Sequence, residues 1–279
     1  MSFFEEPALH DITAIVPFKN HADMTLQCVK SLIPLGLGRI LLVDNRSAVR
    51  EADIVRTVAA EYNNIDYISY DCPFNFQALN NWAVQQTDTA TLWFVNNDVV
   101  VPKTSETLVA QMRELVNDPN TGAVGCVLLY GDERVIQHAG VYLVPGGFAD
   151  HLYAGKRLQH ALTDSTRYPY RIDTDLEVVA VTAASLMMSR EHFNAVGGFN
   201  EAFTIGGGDV DLCLRLRNLG LHNYLVGANY GVMIHHESKS RSGLGIPYGD
   251  FSASYRSYIT QFDLVRGDPF IDVRKLGKA

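Results

Sequence analysis

Three polar side chains close the run Thr91-Leu92-Trp93-Phe94-Val95-Asn96-Asn97-Asp98. Uninterrupted apolar and aromatic residues read as a strand covered on both faces. Such a strand ends on Asn96, Asn97 and Asp98 where water, a ligand or a cation meets them. Ligands of an open α/β sheet bind beyond the carboxyl ends of its strands, so chemistry is expected here. Asp98 offers a hard oxygen ligand for a divalent cation. His235 or His236, closing the later apolar run Tyr224–Ile234, offers an imidazole nitrogen. Waters and diphosphate oxygens would fill the remaining positions. Asp209 and Asp211 open a helical stretch behind Gly206-Gly207-Gly208, and Asp44-Asn45 closes another strand, where it is able to hydrogen-bond a base or ribose. Each has a plainer use: a turn at Asn96–Asp98, a cap at Asp209, a cap for the next helix at Asp44-Asn45. Three polar strand ends and one helix start together favour a site.

The elements that must position these residues alternate over the first hundred positions. Ile12–Phe18, Arg39–Asp44, Ile65–Tyr70 and Ala90–Val95 read as strands. Helices fall after Asp23, expected as an N-cap, and over 47–62 and Phe76–Gln86. Four βα units in a row predict a mainly parallel sheet with right-handed crossovers. Ser105–Asn117 follows as a helix, then Val124–Tyr130 and Val135–Val144 as strands, and Phe148–Asp175 as loops packed on the sheet. Val178–Met188 reads as one strand, with a short helix after Ser189 stopped by Gly197-Gly198. Val210–Leu219 alternates like a strand, yet Asp209 as N-cap and Gly220 after it favour a helix. Tyr224–Ile234 is a further strand, and the glycine-bearing tail after Glu237 is expected to be mobile until its last helical piece.

Totals narrow the classes. The 279 residues include 47% hydrophobic and 19% charged, with formal charge −8, which fits one α/β domain and argues against a general nucleic-acid binder. Cys28, Cys72, Cys126 and Cys213 form no CxxC pair, so buried free thiols in a reducing compartment are expected. Met1–Asp11 carries three acids and no apolar core, unlike a signal peptide. Val178–Met188, the longest apolar stretch, is too short to span a bilayer. A cytoplasmic protein is expected, with peripheral attachment to the membrane's inner face left open. No Walker loop is present and no GxGxxG follows the first strand, which disfavours P-loop kinases and dinucleotide-dependent dehydrogenases.

Several motifs, in order, resemble inverting glycosyltransferases of family 2 with the GT-A fold, in particular the branch of O-antigen and rhamnose-rich polysaccharide synthesis. They are Ile15-Val16-Pro17-Phe18-Lys19-Asn20, Leu42-Val43-Asp44-Asn45, Phe74–Asn81, Phe94–Asp98, Ile136-Gln137-His138-Ala139-Gly140, Val196–Glu201, Asp209–Arg217, His235-His236-Glu237-Ser238 and Gly267-Asp268-Pro269-Phe270. The resemblance implies a Rossmann-like sheet flanked by helices in one domain over 1–279. About 10–100 would be its nucleotide-binding half, about 101–240 its acceptor and metal half, and 241–279 a mobile extension. It implies that Pro17, Phe18 and Asn20 line the nucleotide site, that Asp44 faces the base and that Asn81 lies near the nucleotide-sugar. Asn96-Asn97-Asp98 stands as the DxD motif, with Asp98 and His235 on Mg²⁺ or Mn²⁺ and Asp209 as general base. Lys239 and Arg241 are candidates to close over the diphosphate. Two positions depart from the pattern. Asn96 replaces the first Asp of DxD, and Gly208 stands where Glu often precedes the base.

The expected activity is transfer of a sugar from a UDP- or dTDP-linked donor to a saccharide or lipid-linked saccharide, in bacterial surface polysaccharide synthesis. Two alternatives are a non-catalytic sugar-nucleotide-binding relative and a sugar-nucleotide pyrophosphorylase. The second is disfavoured because Pro17-Phe18-Lys19-Asn20 lacks a glycine-rich loop.

Overall fold

The computed structural model describes residues 9–144, 149–236 and 267–276. Lys239, Arg241 and the expected mobile stretch up to residue 266 lie outside the described residues. The first half follows the alternation of the sequence. Strands β1 (Ile12–Phe18), β2 (Arg39–Asp44), β3 (Ile65–Ser69) and β4 (Thr91–Val95) are linked by helices α1 (Ala22–Leu32), α2 (Val49–Ala59) and α3 (Phe76–Val84). They pair in parallel, β2 and β4 flanking β1 and β3 outside β2. Beyond them come β5 (Val99–Val100), α4 (Glu106–Asn117), β6 (Thr121–Cys126), β7 (Leu128–Tyr130), β8 (Ile136–His138), β9 (Val141–Leu143) and β10 (Ala149–His151). The chain continues through α5 (Leu158–Thr163), β11 (Leu176–Val178), β12 (Ser185–Ser189), α6 (Arg190–Ala195), α7 (Gly208–Asn218), β13 (His222–Val226) and β14 (Met233–His235).

Eight strands form the main sheet in the order β11-β13-β6-β12-β4-β1-β2-β3, with β12 antiparallel to both its neighbours. Alternate residues feed the two faces. Ile15, Leu41 and Phe94 join one buried cluster, while Ala14, Val16, Leu42 and Trp93 join the other. Residues buried on both sides explain why these strands read as continuous apolar runs. A four-stranded sheet, β5-β14-β7-β8, sits at the carboxyl end of β4.

Four long apolar runs differ from expectation, and one of them, Val135–Val144, divides into β8 in the small sheet and β9 paired with β10. Val124–Tyr130 divides into β6 in the main sheet and β7 in the small one, and Tyr224–Ile234 divides likewise into β13 and β14. Gly231 permits the second break, with φ of 127° and no room for a Cβ, which would lie 2.5 Å from Ser105 Oγ. Val178–Met188 is not one strand. Val178 ends β11 at the sheet edge, Val179, Ala180 and Val181 are buried irregular chain, and Ser185 begins β12 in the sheet centre. Burial alone does not separate strand from packed loop, so the run carried no mark of the break.

Two caps also moved. The N-cap of α1 is His21, with φ of 50°, and Glu51 Oε2 accepts from Ala22 N at 2.7 Å, which leaves Asp23 inside the first turn. For α7 the cap is Gly207, with φ of 86°, so Asp209 sits in the first turn. The segment 267–276 is docked on the fold rather than loose. Asp268 Oδ2 accepts from Leu143 N at 2.8 Å, and Ile271 is buried in the core.

Candidate active site

A cleft of about 690 Å³ opens at the carboxyl ends of β1 and β4. Its walls bring together Pro17, Phe18 and Asn20 from β1 and the turn after it, Asn96, Asn97 and Asp98 from the end of β4, and Asp209 from α7. The expected turn exists: Val99 N donates to Asn96 O at 3.1 Å. It is also what delivers Asp98, so the two readings of Asn96–Asp98 coincide. Asn97 Nδ2 donates to Thr25 Oγ1 at 2.9 Å and pins the turn to α1. At the end of the neighbouring strand, left-handed Asn20 accepts from Ala48 N through Oδ1 at 2.7 Å, which locks the β1 exit against the start of α2.

Asp98 is 1% exposed, and among the described residues neither carboxylate oxygen receives a hydrogen bond. The pairing of β14 with β5 sets His235 opposite Val99 and brings its Nε2 to 3.0 Å from Asp98 Oδ1. The other ring nitrogen, Nδ1, faces Gln137 Oε1. With its proton on Nδ1, Nε2 turns a lone pair toward the carboxylate, and two acceptors at that distance need a cation or a proton between them. A buried carboxylate without donors is also costly unless a positive charge compensates it. One hard oxygen donor and one imidazole therefore fit a divalent cation. Among the described residues no cluster of three or more such side chains exists, so the remaining ligands would come from solvent or a bound diphosphate. His236 is exposed and turns away from Asp98, its backbone N–H donating to Asp98 O at 2.9 Å. Of the two histidines, His235 is the one whose ring faces the Asp98 carboxylate.

Asp209 is half-buried, with Oδ2 accepting from Ala183 N at 3.1 Å and Oδ1 from Val210 N at 2.9 Å. Each oxygen keeps lone-pair capacity for a second donor. Asp211 is no part of this wall. It is buried with Arg215, whose Nε donates to Oδ2 at 2.7 Å; desolvation pushes its carboxyl up and Arg215 opposes that. The space before Asp209 explains Gly208. A Cβ there would fall 2.4 Å from Cδ of Gln77, whose Nε2 donates to Ile205 O at 3.2 Å. The buried Gln77 amide occupies the room that a side chain at 208 would need.

Two expected nucleotide contacts are placed elsewhere. Asp44 is buried and is not among the residues lining the cleft, its Oδ1 accepting from Ser47 N at 3.0 Å and its Oδ2 from Tyr67 Oη at 2.6 Å. Asn45 beside it lines the cleft. Asn81 faces the loop after α6: its Oδ1 accepts from Phe199 N at 2.8 Å, and its Nδ2 donates to Phe199 O and to Glu201 Oε1, both at 2.9 Å. These bonds staple α3 to that loop, and Asn81 is not among the residues lining the cleft. Trp93 and Tyr153 are core, and Trp82 packs on Tyr70 at 5.2 Å between ring centroids.

Gln77, Thr182, Ala183 and His151 line the cleft without having been singled out for it. Gln77 and His151 had only weak marks. The first lies inside a quoted motif, and the second in the aperiodic stretch read as loops.

Comparison with known proteins bears on the whole assembly. The glycosyl transferase family 2 model matches residues 13–172, and a model described as the N-terminal domain of galactosyltransferase matches residues 160–238. O-antigen biosynthesis protein RfbC of Myxococcus xanthus is 36% identical over 264 residues, covering 93% of this chain and 20% of that protein. The uncharacterized protein y4gI of Sinorhizobium fredii is also 36% identical, over 82% of this chain and 25% of its own length. The chain thus spans a fifth to a quarter of these relatives. Solved structures support the fold. GalNAc-T7 with UDP, GalNAc and Mn²⁺ superposes with a TM-score of 0.65 at 13% identity, covering 91% of this chain and 48% of that one. The mannosyltransferase PcManGT of Pyrobaculum calidifontis, in complex with GDP-Man and Mn²⁺, gives 0.56 at 16% identity, covering 91% and 62%.

Proposed function

Because this glycosyltransferase domain of the GT-A fold belongs to glycosyl transferase family 2, we propose that it moves a sugar, with inversion, from a nucleoside-diphosphate donor to a hydroxyl of a saccharide or lipid-linked saccharide. The observation that carries the reading is the meeting of Asp98 and Asp209, far apart in sequence, on the walls of one cleft beside the β1 exit. One carboxylate is buried without donors, and the other faces the cleft half-exposed. Those environments suit different tasks.

In this reading Pro17, Phe18 and Asn20 hold the nucleotide, and Asn96 and Asn97 border its phosphates. A divalent ion held by Asp98 and His235 would supply positive charge against the leaving diphosphate. Gln137 orients His235 through Nδ1 and so aims Nε2 at the ion's position. Across the cleft, the backbone N–H groups of Ala183 and Val210 fix the Asp209 carboxylate. The acceptor oxygen bonds to the anomeric carbon as the bond from that carbon to the diphosphate breaks, its electron pair leaving with the diphosphate. The hydroxyl proton passes to Asp209. Donors linked to UDP or dTDP are expected, with bacterial surface polysaccharide as the product; the likeness to RfbC supports that setting. No helix among the described residues is long and apolar enough to cross a membrane. Work at the cytoplasmic side, on an acceptor presented there, belongs to the same proposal.

The test is a panel of UDP- and dTDP-sugars with Mg²⁺ or Mn²⁺, read by released nucleoside diphosphate and by the anomeric configuration of the product. Asp209→Asn is expected to slow transfer about 10²–10⁴-fold while nucleotide binding persists. Undiminished transfer by that variant removes Asp209 from the role, and a product of retained configuration overturns inversion.

A further inference from the structure

Three consecutive residues tie the start of α3 to the loop that delivers Asp209. Asn75 caps the helix, its Oδ1 accepting from Gln77 N and Ala78 N, while its Nδ2 donates to Glu201 O at 2.9 Å. Phe76 N donates to Thr204 O at 2.9 Å, and Gln77 Nε2 to Ile205 O at 3.2 Å. The last of these bonds stands next to Gly206-Gly207, where the chain turns into α7. Two glycines in succession give that turn little stiffness of its own, so its course depends on what holds it.

Gln77 meets the turn a second time. Its Cδ and Nε2 lie 2.4 Å, and its Oε1 2.6 Å, from where a Cβ of residue 208 would stand. Gly207 needs its glycine for a φ of 86°, whereas Gly208 is not left-handed, so at 208 only the amide excludes a side chain. Gln77 is 1% exposed, and its Oε1 has no hydrogen-bond partner among the described residues. A buried acceptor left unsatisfied lowers stability, and an apolar side chain of the same length would fill the space without that cost. What the amide adds is its donor to Ile205 O.

We propose that Gln77 is a positioning residue for Asp209: its amide fixes the turn into α7 and thereby the placement of the Asp209 carboxylate in the cleft. On its other side that carboxylate reaches Ala183 N, on the segment leading to β12. A displaced first turn of α7 alters this bond and the approach of the carboxylate to an acceptor oxygen together. The inference rests on the reading of Asp209 as the base, and the test separates the two.

The variant is Gln77→Met, which keeps the length of the side chain, removes the orphaned acceptor and has no donor for Ile205 O. It is expected to melt within about 4 °C of the parent. The first readout needs no turnover. The Ala183 amide proton, deshielded by the carboxylate, is expected to move upfield in a ¹H–¹⁵N spectrum of Gln77→Met, as in Asp209→Asn. An Ala183 amide that moves in Asp209→Asn alone overturns the proposal. The second readout is turnover of the UDP- and dTDP-sugar panel with water as acceptor, followed by released nucleoside diphosphate. A misplaced base is expected to lower kcat roughly tenfold to a hundredfold, with the donor KM changed less than about threefold. An unchanged kcat overturns the proposal. In the Asp209→Asn background Gln77→Met is expected to cost nothing further, because a residue acting through Asp209 then has no base to position. An equal loss in both backgrounds gives Gln77 a role apart from Asp209 and overturns the proposal. Gly208→Ala, whose Cβ displaces the same amide, is expected to reproduce the Ala183 shift and the loss of kcat; parent-like values there overturn the proposal as well. Undiminished turnover by Asp209→Asn sinks the base reading instead, while the Ala183 shift still decides whether Gln77 positions that carboxylate.

Discussion

Replacing Asp98 by asparagine removes one charge and almost no volume from the place where β4 and β14 meet. Asp98 Oδ1 faces His235 Nε2 at 3.0 Å, and among the described residues no donor reaches the carboxylate. The amide introduced by Asp98→Asn is able to donate to that same Nε2, exchanging an uncompensated buried charge for a neutral hydrogen bond of about 0.5–1.5 kcal/mol. The variant is therefore expected to fold, with stability within about 1 kcal/mol of the parent or above it. Ligand-linked stability behaves otherwise. At a hundred times Kd a bound ligand adds about 2.7 kcal/mol, which for a chain of this size class corresponds to a rise in Tm of roughly 5–11 °C. Asp98 is the carboxylate at this position, so most of that rise should vanish in the variant. The assay is a thermal melt of both proteins with Mn²⁺ alone, with UDP, dTDP or GDP alone, and with each nucleotide plus Mn²⁺. The parent should respond most to the combination, and the variant should show less than about a third of that response. A variant retaining the full metal-dependent shift would falsify the assignment of Asp98 as a cation ligand. A variant that cannot fold without metal would refute the claim that the buried charge is uncompensated.

Two further outcomes follow from side chains beside the cleft. Asn81→Ala strands the backbone N–H and C=O of Phe199, so chemical denaturation should show a loss of about 1–3 kcal/mol, with nucleotide affinity changed less than about threefold; a stable variant that loses nucleotide binding would restore Asn81 to the ligand site. His138 carries a pH signature whose sign is fixed. Its folded-state pKa is lowered by burial, so below about pH 6.5 the unfolded chain takes up a proton that the folded one refuses, and stability falls with pH at a slope of up to about 1.4 kcal/mol per unit. Desolvation raises the carboxyls of Asp211 and Asp268, and these act with opposite sign at lower pH. Urea unfolding of the parent and His138→Gln between about pH 5 and 7.5 separates the contributions, because the carboxyls are common to both; equal slopes in the two proteins would exclude a buried neutral His138.

Local pattern and tertiary structure divided the determination of this molecule in a way that particular residues make plain. The βα alternation, the strand bounds Ile12–Phe18 and Arg39–Asp44, and the polar end of β4 at Asn96-Asn97-Asp98 were legible in the sequence, because a two-sided buried strand and a helix face impose periods and end signals on neighbouring residues. The same holds for Asp98, His235 and Asp209 as candidates, since an acid or imidazole closing an apolar run contradicts its surroundings. What the sequence left open was where a buried run breaks and which partners a polar side chain finds. The Val178–Met188 run is apolar whether it is strand or packed loop, so only pairing with β4 and β6 decided that β12 begins at Ser185. Asn81 and Asp44 carry no mark in the sequence of the partners that Phe199, Ser47 and Tyr67 become once the fold brings them in. Gly208 read as a missing carboxylate, and its cause lay far back along the chain in the Gln77 amide that fills the space. His138 and His151, 13 residues apart, owe their contact to the pairing of β10 with β9. Sequence encodes what one segment must bury or expose; which distant groups then satisfy or strand one another is settled by the packing of segments whose separation along the chain carries no periodic trace.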